Sequence, residues 1–184
     1  MPFRLGCNPI GTAFRGNTLI TSFNELSLFT SVKTIEVGAF LNCTSLRSIA
    51  LSNITTVNRY AFRNTGLYYA WFPKVTSYDG TSSSTNSPLD NTRSLIGVRF
   101  DVCHDCSKIA NNSTAKYVVV TSDFVPSVQA NGLPGTIYVR TSQVSAFSSH
   151  TVWGTKNIKD IKSLPDDYPA CPWIEDLRQE GFIY

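Results

Sequence analysis

Apolar residues along this chain recur on a fixed template. From Phe40 they fall six, nine and eleven positions further on, at Leu46, Ile49 and Leu51. The same offsets return from Leu89 as Leu95, Val98 and Phe100, and from Ile109 as Ala115, Val118 and Val120. From Phe62 they return with one residue deleted, as Leu67, Ala70 and Phe72, and a partial copy runs from Ala13-Phe14 to Ile20 and Phe23. The steps between the anchors Phe14, Phe40, Phe62, Leu89 and Ile109 are 26, 22, 27 and 20 residues. A six-residue strand such as 46–51 cannot bury its apolar side alone, so a repeat of this length predicts a solenoid whose turns close on one another.

A second apolar pair precedes each of three anchors: Val32 with Ile35, Ile54 with Val57, and Val75 with Tyr78. These suit a second short strand or extended turn on the opposite wall. The stretch from Asp79 to Pro88 is all turn formers and reads as a loop inserted between turns. Asn42, in the bend after the anchor, is expected to satisfy backbone groups there, and Cys43 to pack as a small apolar residue. Four segments follow: an N-terminal extension 1–11, the solenoid 12–124, a capping unit 125–164, and a tail 165–184. Within the cap, Ile137-Tyr138-Val139 predicts a strand, and Val144 with Phe147 a short helix capped by Thr141 or Ser142. The tail opens on Pro165, Asp166 and Asp167 and carries Trp173, Ile174, Leu177, Phe182 and Tyr184. Two readings of those residues stand open: they pack back on the domain, or they attach it to a partner.

If Leu46, Ile49 and Leu51 face inward, alternation along a strand puts Arg47, Ser48 and Ala50 on the outer face. The same register puts Tyr68, Tyr69 and Trp71 outside on the next strand, Gly97 and Arg99 on the third, and Tyr117 and Val119 on the fourth. With strands about 4.8 Å apart, Arg47, Tyr68, Tyr69, Trp71, Arg99 and Tyr117 would form one patch of interface anchors. Trp71 and Tyr69 would be its centre, for a protein or glycan ligand. Packing of the aromatics beneath the inserted loop or against the tail is the competing reading.

Composition narrows the partners. Charged residues are 16% of the chain, with 16 basic against 13 acidic side chains and no basic run, which sets nucleic acid aside. No apolar stretch is long enough to predict a membrane span. Residues Met1 to Ile10 lack the pattern of a secretory signal. Five cysteines, at 7, 43, 103, 106 and 171, are an odd, scattered set that favours reduced thiols over a disulfide framework.

Candidate chemistry is sparse. Cys103-His104-Asp105-Cys106 holds donors that could begin a zinc site. A second pair is missing, and the register puts the segment in the bend before Ile109, so Cys103, His104 and Cys106 are read as bend residues with no metal. His104 and His150 stand beside no recognisable nucleophile motif, and Asp166-Asp167 reads as a solvated pair. Asn42, Asn53, Asn111 and Asn112 match the glycosylation sequon in a chain rich in Asn, Ser and Thr, and no glycan is assigned. The expectation is a protein without enzymatic activity and without a cofactor.

The segment Thr34-Ile35-Glu36-Val37-Gly38-Ala39-Phe40-Leu41-Asn42-Cys43-Thr44-Ser45-Leu46-Arg47-Ser48-Ile49-Ala50-Leu51 resembles the BspA-type leucine-rich repeat, whose pattern is I-x-x-x-A-F-x-x-C-x-x-L-x-x-I-x-L. Ala61-Phe62-Arg63-Asn64-Thr65-Gly66-Leu67 resembles its shortened variant, and Val125 to Ile161 the unit that often closes such arrays. The resemblance implies a mainly β leucine-rich-repeat solenoid of about five turns of short parallel strands, with a C-terminal cap containing a short helix. It also implies binding, since such proteins are mostly surface-displayed or secreted and implicated in adhesion, and similar units occur in phage structural proteins. The leading expectation is therefore a recognition or adhesion module. The alternative is a subunit of a virion or other assembly, attached through its terminal segments, and the expected location is correspondingly a virion or a cell surface.

Overall fold

The structure is a computed structural model that describes residues 10–78, 87–105, 114–128, 134–165 and 171–184. The anchor expected at Ile109, the inserted stretch 79–86, Cys7, Cys106 and Asp166-Asp167 lie outside the described residues.

Strands come in two series. One comprises Ser22–Phe23 (β1), Ser48–Ile49 (β3), Tyr69–Phe72 (β5), Gly97–Phe100 (β7), Tyr117–Val120 (β8), Thr136–Val139 (β9) and Asn157–Asp160 (β10). The other comprises Thr34–Ile35 (β2), Thr56–Val57 (β4) and Ser77–Tyr78 (β6). All pairings are parallel: β1 with β3, then β5-β7-β8-β9-β10 as a five-stranded sheet, and β2-β4-β6 on the opposite wall. The apolar pairs ending at Ile35, Val57 and Tyr78 thus supply the second wall, one strand per turn. A third column of contacts runs through the anchor bends, where Phe40 N–H donates to Ala61 C=O and Phe62 N–H to Pro88 C=O, both at 2.8 Å.

One interior runs along the coil. Phe40, Leu46, Leu51, Phe62, Leu67, Ala70, Phe72, Leu89, Leu95, Val98, Phe100, Val118 and Val120 are all buried in a single cluster. The anchor rings stack along its axis, Phe14 on Phe40 at 5.3 Å and Phe40 on Phe62 at 5.5 Å. Each turn therefore completes the burial of its neighbour, which is why the template needs a large apolar side chain at that one position.

The bend after each anchor requires a left-handed residue, and asparagine takes it at φ 64° (Asn42), 57° (Asn64) and 53° (Asn91). The Asn42 side chain was expected to serve its own bend; instead the amides link successive turns. Asn64 Nδ2 donates to Asn42 Oδ1 at 2.7 Å, and Asn91 Nδ2 donates to Asn64 Oδ1. Cys43 is fully buried, its thiol donating to Phe14 C=O at 2.9 Å.

At the C-terminal end β9 and β10 extend the five-stranded sheet, and the helix Val144–Ser149 (α1) lays Phe147 against Trp153 at 5.2 Å. Trp153 Nε1 donates to Pro126 C=O. The expected cap is corrected here: Gln143 precedes α1 with no side-chain cap, and the Thr141 hydroxyl donates to Asp160. The tail carries a second helix, Ile174–Gln179 (α2). Among the described residues no helix is long and apolar enough to cross a membrane.

Candidate functional site

The outer face of the β3-to-β10 wall is divided in two, and the division comes from α2. Trp173 and Leu177 lie four residues apart and so share one side of a helical turn; both are fully buried. They form a second core with Tyr117, Val119, Tyr138, Ile161, Leu164 and Ile183, outside the five-stranded sheet. Strand β8 is consequently buried on both faces, all four residues of Tyr117-Val118-Val119-Val120. The packing is close. A methyl group at Gly97 would fall 2.6 Å from the Tyr117 ring, so a residue without Cβ is required for that ring to lie across β7.

Polar contacts hold the tail in place. Arg99 is 1% exposed and stacks over the Trp71 ring at 4.7 Å. Its Nε donates to Asp101 and its Nη2 to Glu180 of the tail, both at 2.7 Å. Asp101 also accepts from Trp71 Nε1 at 2.8 Å and from the Thr121 hydroxyl. Two carboxylates and an aromatic face replace the hydration of Nε, Nη2 and the guanidinium plane, while Nη1 has no hydrogen-bond partner among the described residues.

Among the described residues the wall lies open beyond the tail's edge. Strands β3 and β5 belong to different sheets; just before β5, Tyr68 N–H reaches Arg47 C=O at 3.4 Å. Over this seam lies a groove of about 600 Å³, lined among others by Arg47, Ile49, Ala50, Tyr68, Tyr69, Trp71, Ile96 and Pro172. Tyr68 is 45% exposed, and Arg47 stacks over its ring at 5.3 Å. Arg47 Nη1 donates to Gly66 C=O at 2.9 Å and to Thr44 C=O at 3.2 Å. Gly66 is needed for this, since a Cβ there would fall 1.6 Å from Nη1.

Arg47 also lines a second, polar depression of about 440 Å³ on the flank, with Asn42, Asn64, Asn91 and Arg93. Arg93 Nε donates to Asn91 Oδ1 at 2.9 Å, at the end of the amide ladder. Among the described residues neither Arg47 nor Arg93 forms an ion pair, and no acidic side chain lines the depression.

The six residues expected to form one patch are thus separated. Arg47, Tyr68, Tyr69 and Trp71 come together in the groove. Arg99 and Tyr117 face the same side of the sheet, but the tail covers them, so their placement on an open surface is corrected. Tyr69 stands at the boundary, edge-on to Trp173. Of the two readings of the tail, the structure has it packed back: Trp173 and Leu177 are buried, Ile174 and Phe182 half-buried, and Tyr184 90% exposed. Ile96, Pro172 and Arg93 were not singled out from the sequence; Ala50 was placed on the outer face, and Ile49, expected to face inward, is half-buried against the core and also lines the groove. The run Tyr117-Val118-Val119-Val120 did carry a signal, since a strand with no polar alternation is one covered on both faces.

The remaining candidates have structural contacts. The Cys103 thiol donates to Asp105 C=O at 2.9 Å, and His104 stacks on Phe124 at 4.6 Å. His150 Nδ1 accepts from the backbone of Val152 and Trp153. Cys171 sits beneath Tyr117, its Sγ 4.0 Å from the hydroxyl. Burial pushes the thiols of Cys171 and Cys43 above the ordinary range, against smaller lowering from nearby hydrogen bonds.

Comparison with known families agrees with the repeat geometry. The BspA type leucine rich repeat region matches in six copies across residues 12–109. No curated protein matches the chain.

Proposed function

Because the chain belongs to the BspA-type leucine-rich repeat family, typically non-enzymatic and suited to protein recognition, we propose that it is a recognition and adhesion module that binds its ligand in the seam groove. A single observation carries this reading. Next to a wall otherwise sealed by its own tail, Tyr68, Trp71, Ile49 and Ile96 are left around an open groove of about 600 Å³. Aromatic side chains with few rotatable bonds, an adjoining arginine and a concave apolar floor are the usual composition of interface hot spots. The residues that carry binding are Arg47, Tyr68, Tyr69 and Trp71, on a protein displayed on a cell surface or a virion. Binding needs no cofactor.

The test is a parallel screen of the intact chain against displayed peptides and a glycan array. It is followed by Tyr68→Ala, which removes a half-exposed ring, and Ser48→Trp, which fills the groove from an exposed strand position. Both variants should lose the selected ligand and keep the far-UV spectrum. Ligands bound equally by wild type and both variants would place recognition elsewhere.

A second reading, a structural subunit of a virion or other assembly, draws support from the first turn, where Leu19, Leu28 and Phe29 are 88%, 76% and 52% exposed. Exposed apolar side chains grouped in this way are a surface for association. Under that reading Leu28→Lys with Phe29→Lys would reduce self- or co-assembly in sedimentation and leave groove binding intact.

A further inference from the structure

Resting on the recognition reading above, we infer that the seam groove takes a segment of a partner protein that carries an aromatic or aliphatic anchor beside a carboxylate, with the carboxylate landing on Arg47 and Arg93. The chain's own tail supplies the template. On the adjoining half of the same wall it seats Trp173 edge-on to Tyr69 at 5.3 Å, and it sets the Glu180 carboxylate on Arg99 at 2.7 Å. The groove holds comparable parts at a different position of the repeat. Arg47, on the earlier of its two turns, lies over the Tyr68 ring at 5.3 Å, as Arg99, on the later of its two turns, lies over the Trp71 ring at 4.7 Å.

What differs is the counter-charge. Arg99 has two carboxylates, whereas Arg47, and Arg93 across the same depression, have none among the described residues. The carbonyls of Thr44 and Gly66 engage Nη1 of Arg47; among the described residues no other side-chain nitrogen of Arg47 has a partner. Arg93 is tied by its Nε to Asn91, and among the described residues its terminal nitrogens have no hydrogen-bond partner. Two guanidinium groups so fixed, flanked by neutral amides, complement an anion and disfavour a cation.

The groove floor selects a peptide over a sugar. The side chains of Ile49, Ala50, Leu51 and Ile96 offer no hydrogen bonds to hydroxyl groups, with Asn24, Ser48 and Ser52 as polar neighbours in the lining. A hydroxyl desolvated on the apolar part without a partner costs about 1–3 kcal/mol. An aliphatic or aromatic side chain gains from the same surface.

The test pans a random dodecapeptide display library on the intact chain, with elution by excess soluble chain. Enriched sequences should pair Trp, Phe, Leu or Ile with Asp or Glu within a few residues. Their affinity should drop roughly fivefold or more in Arg47→Gln and in Arg93→Gln, on the scale of one charge-assisted hydrogen bond. It should also drop on replacing the peptide acid by its amide. Arg93 is exposed, so its variant keeps the test valid if Arg47→Gln unfolds. Three results overturn the inference: enriched peptides without acids, acidic peptides indifferent to both arginine variants, or no peptide ligand but a glycan bound in the groove. The first and third, where binding is lost in Tyr68→Ala, leave the recognition reading standing. Ligands indifferent to Tyr68→Ala and Ser48→Trp defeat that reading as well.

Discussion

Trp173 meets Tyr69 edge-on, ring centroids 5.3 Å apart at 81°, and this contact marks the line between the sealed and the open halves of the strand wall. On one side lies a second hydrophobic core, and on the other lies the groove. Tyr69 belongs to both, since it lines the groove and packs against the second core.

Removing the tail should convert one half of the wall into the other. A chain lacking residues 171–184 exposes Tyr117, Val119 and Tyr138, all now buried, as a contiguous apolar surface of the kind that drives association. Its far-UV spectrum should keep the β signal of the solenoid, while it binds a hydrophobic dye and self-associates in light scattering. The point variant Trp173→Ala should weaken tail docking by about 3–5 kcal/mol, the cost of deleting a buried indole. A truncated chain that stays monomeric without added dye binding would contradict the second core.

The asparagine column makes a prediction about backbone as well as side chain. Asn64 holds φ 57° and joins both neighbouring turns through its amide. Asn64→Ala should destabilise by about 2–3 kcal/mol, combining left-handed strain with lost hydrogen bonds. Asn64→Gly relieves the strain and should cost about 1 kcal/mol less. Denaturant unfolding of the two variants decides it, and equal losses would remove backbone strain from the account.

Alkaline pH should loosen the tail through Cys171. Burial raises this thiol's pKa, with the Trp173 N–H, the Tyr117 hydroxyl, the Ile174 N–H and Arg99 pulling it down by less. The folded pKa exceeds the unfolded one, so the thiol's contribution is complete below about pH 8.5 and is lost as pH rises through the folded value. Cys43 shifts in the same direction and adds to the decline. Stability measured from pH 7 to 10 should fall less steeply in Cys171→Ser. Iodoacetamide should label Cys171 more slowly in the native chain than in the denatured one at pH 8.5. Equal labelling rates would show that the tail does not shield it.

The solenoid was legible because its cause is local. Phe40, Leu46, Ile49 and Leu51 repeat at fixed offsets, and any chain with that spacing must stack its turns to bury them. Outer-face register was legible for the same reason, as Tyr69, Trp71, Arg99 and Tyr117 show. Their fate was not, because it depends on contacts far apart in sequence. Glu180 reaches Arg99 across 81 residues, and the four-residue spacing of Trp173 and Leu177 announces an apolar helix face without saying what it covers. The groove was half legible: its aromatic residues stood out, while Ile49 and Ala50 looked like ordinary strand positions. They line a groove because β3 and β5 belong to different sheets, and among the described residues the tail reaches the groove only at Pro172.

The central claim is that the tail seals one half of the wall and leaves the other open, and hydroxyl-radical footprinting with mass spectrometry tests it on the intact chain. Oxidation should be fast at Tyr68 and Tyr184 and strongly suppressed at Tyr117, Tyr138 and Trp173, with the suppression lost once residues 171–184 are removed. Comparable oxidation of Tyr117 and Tyr68 in the intact chain would contradict it, and with it the division of the wall on which the binding site rests.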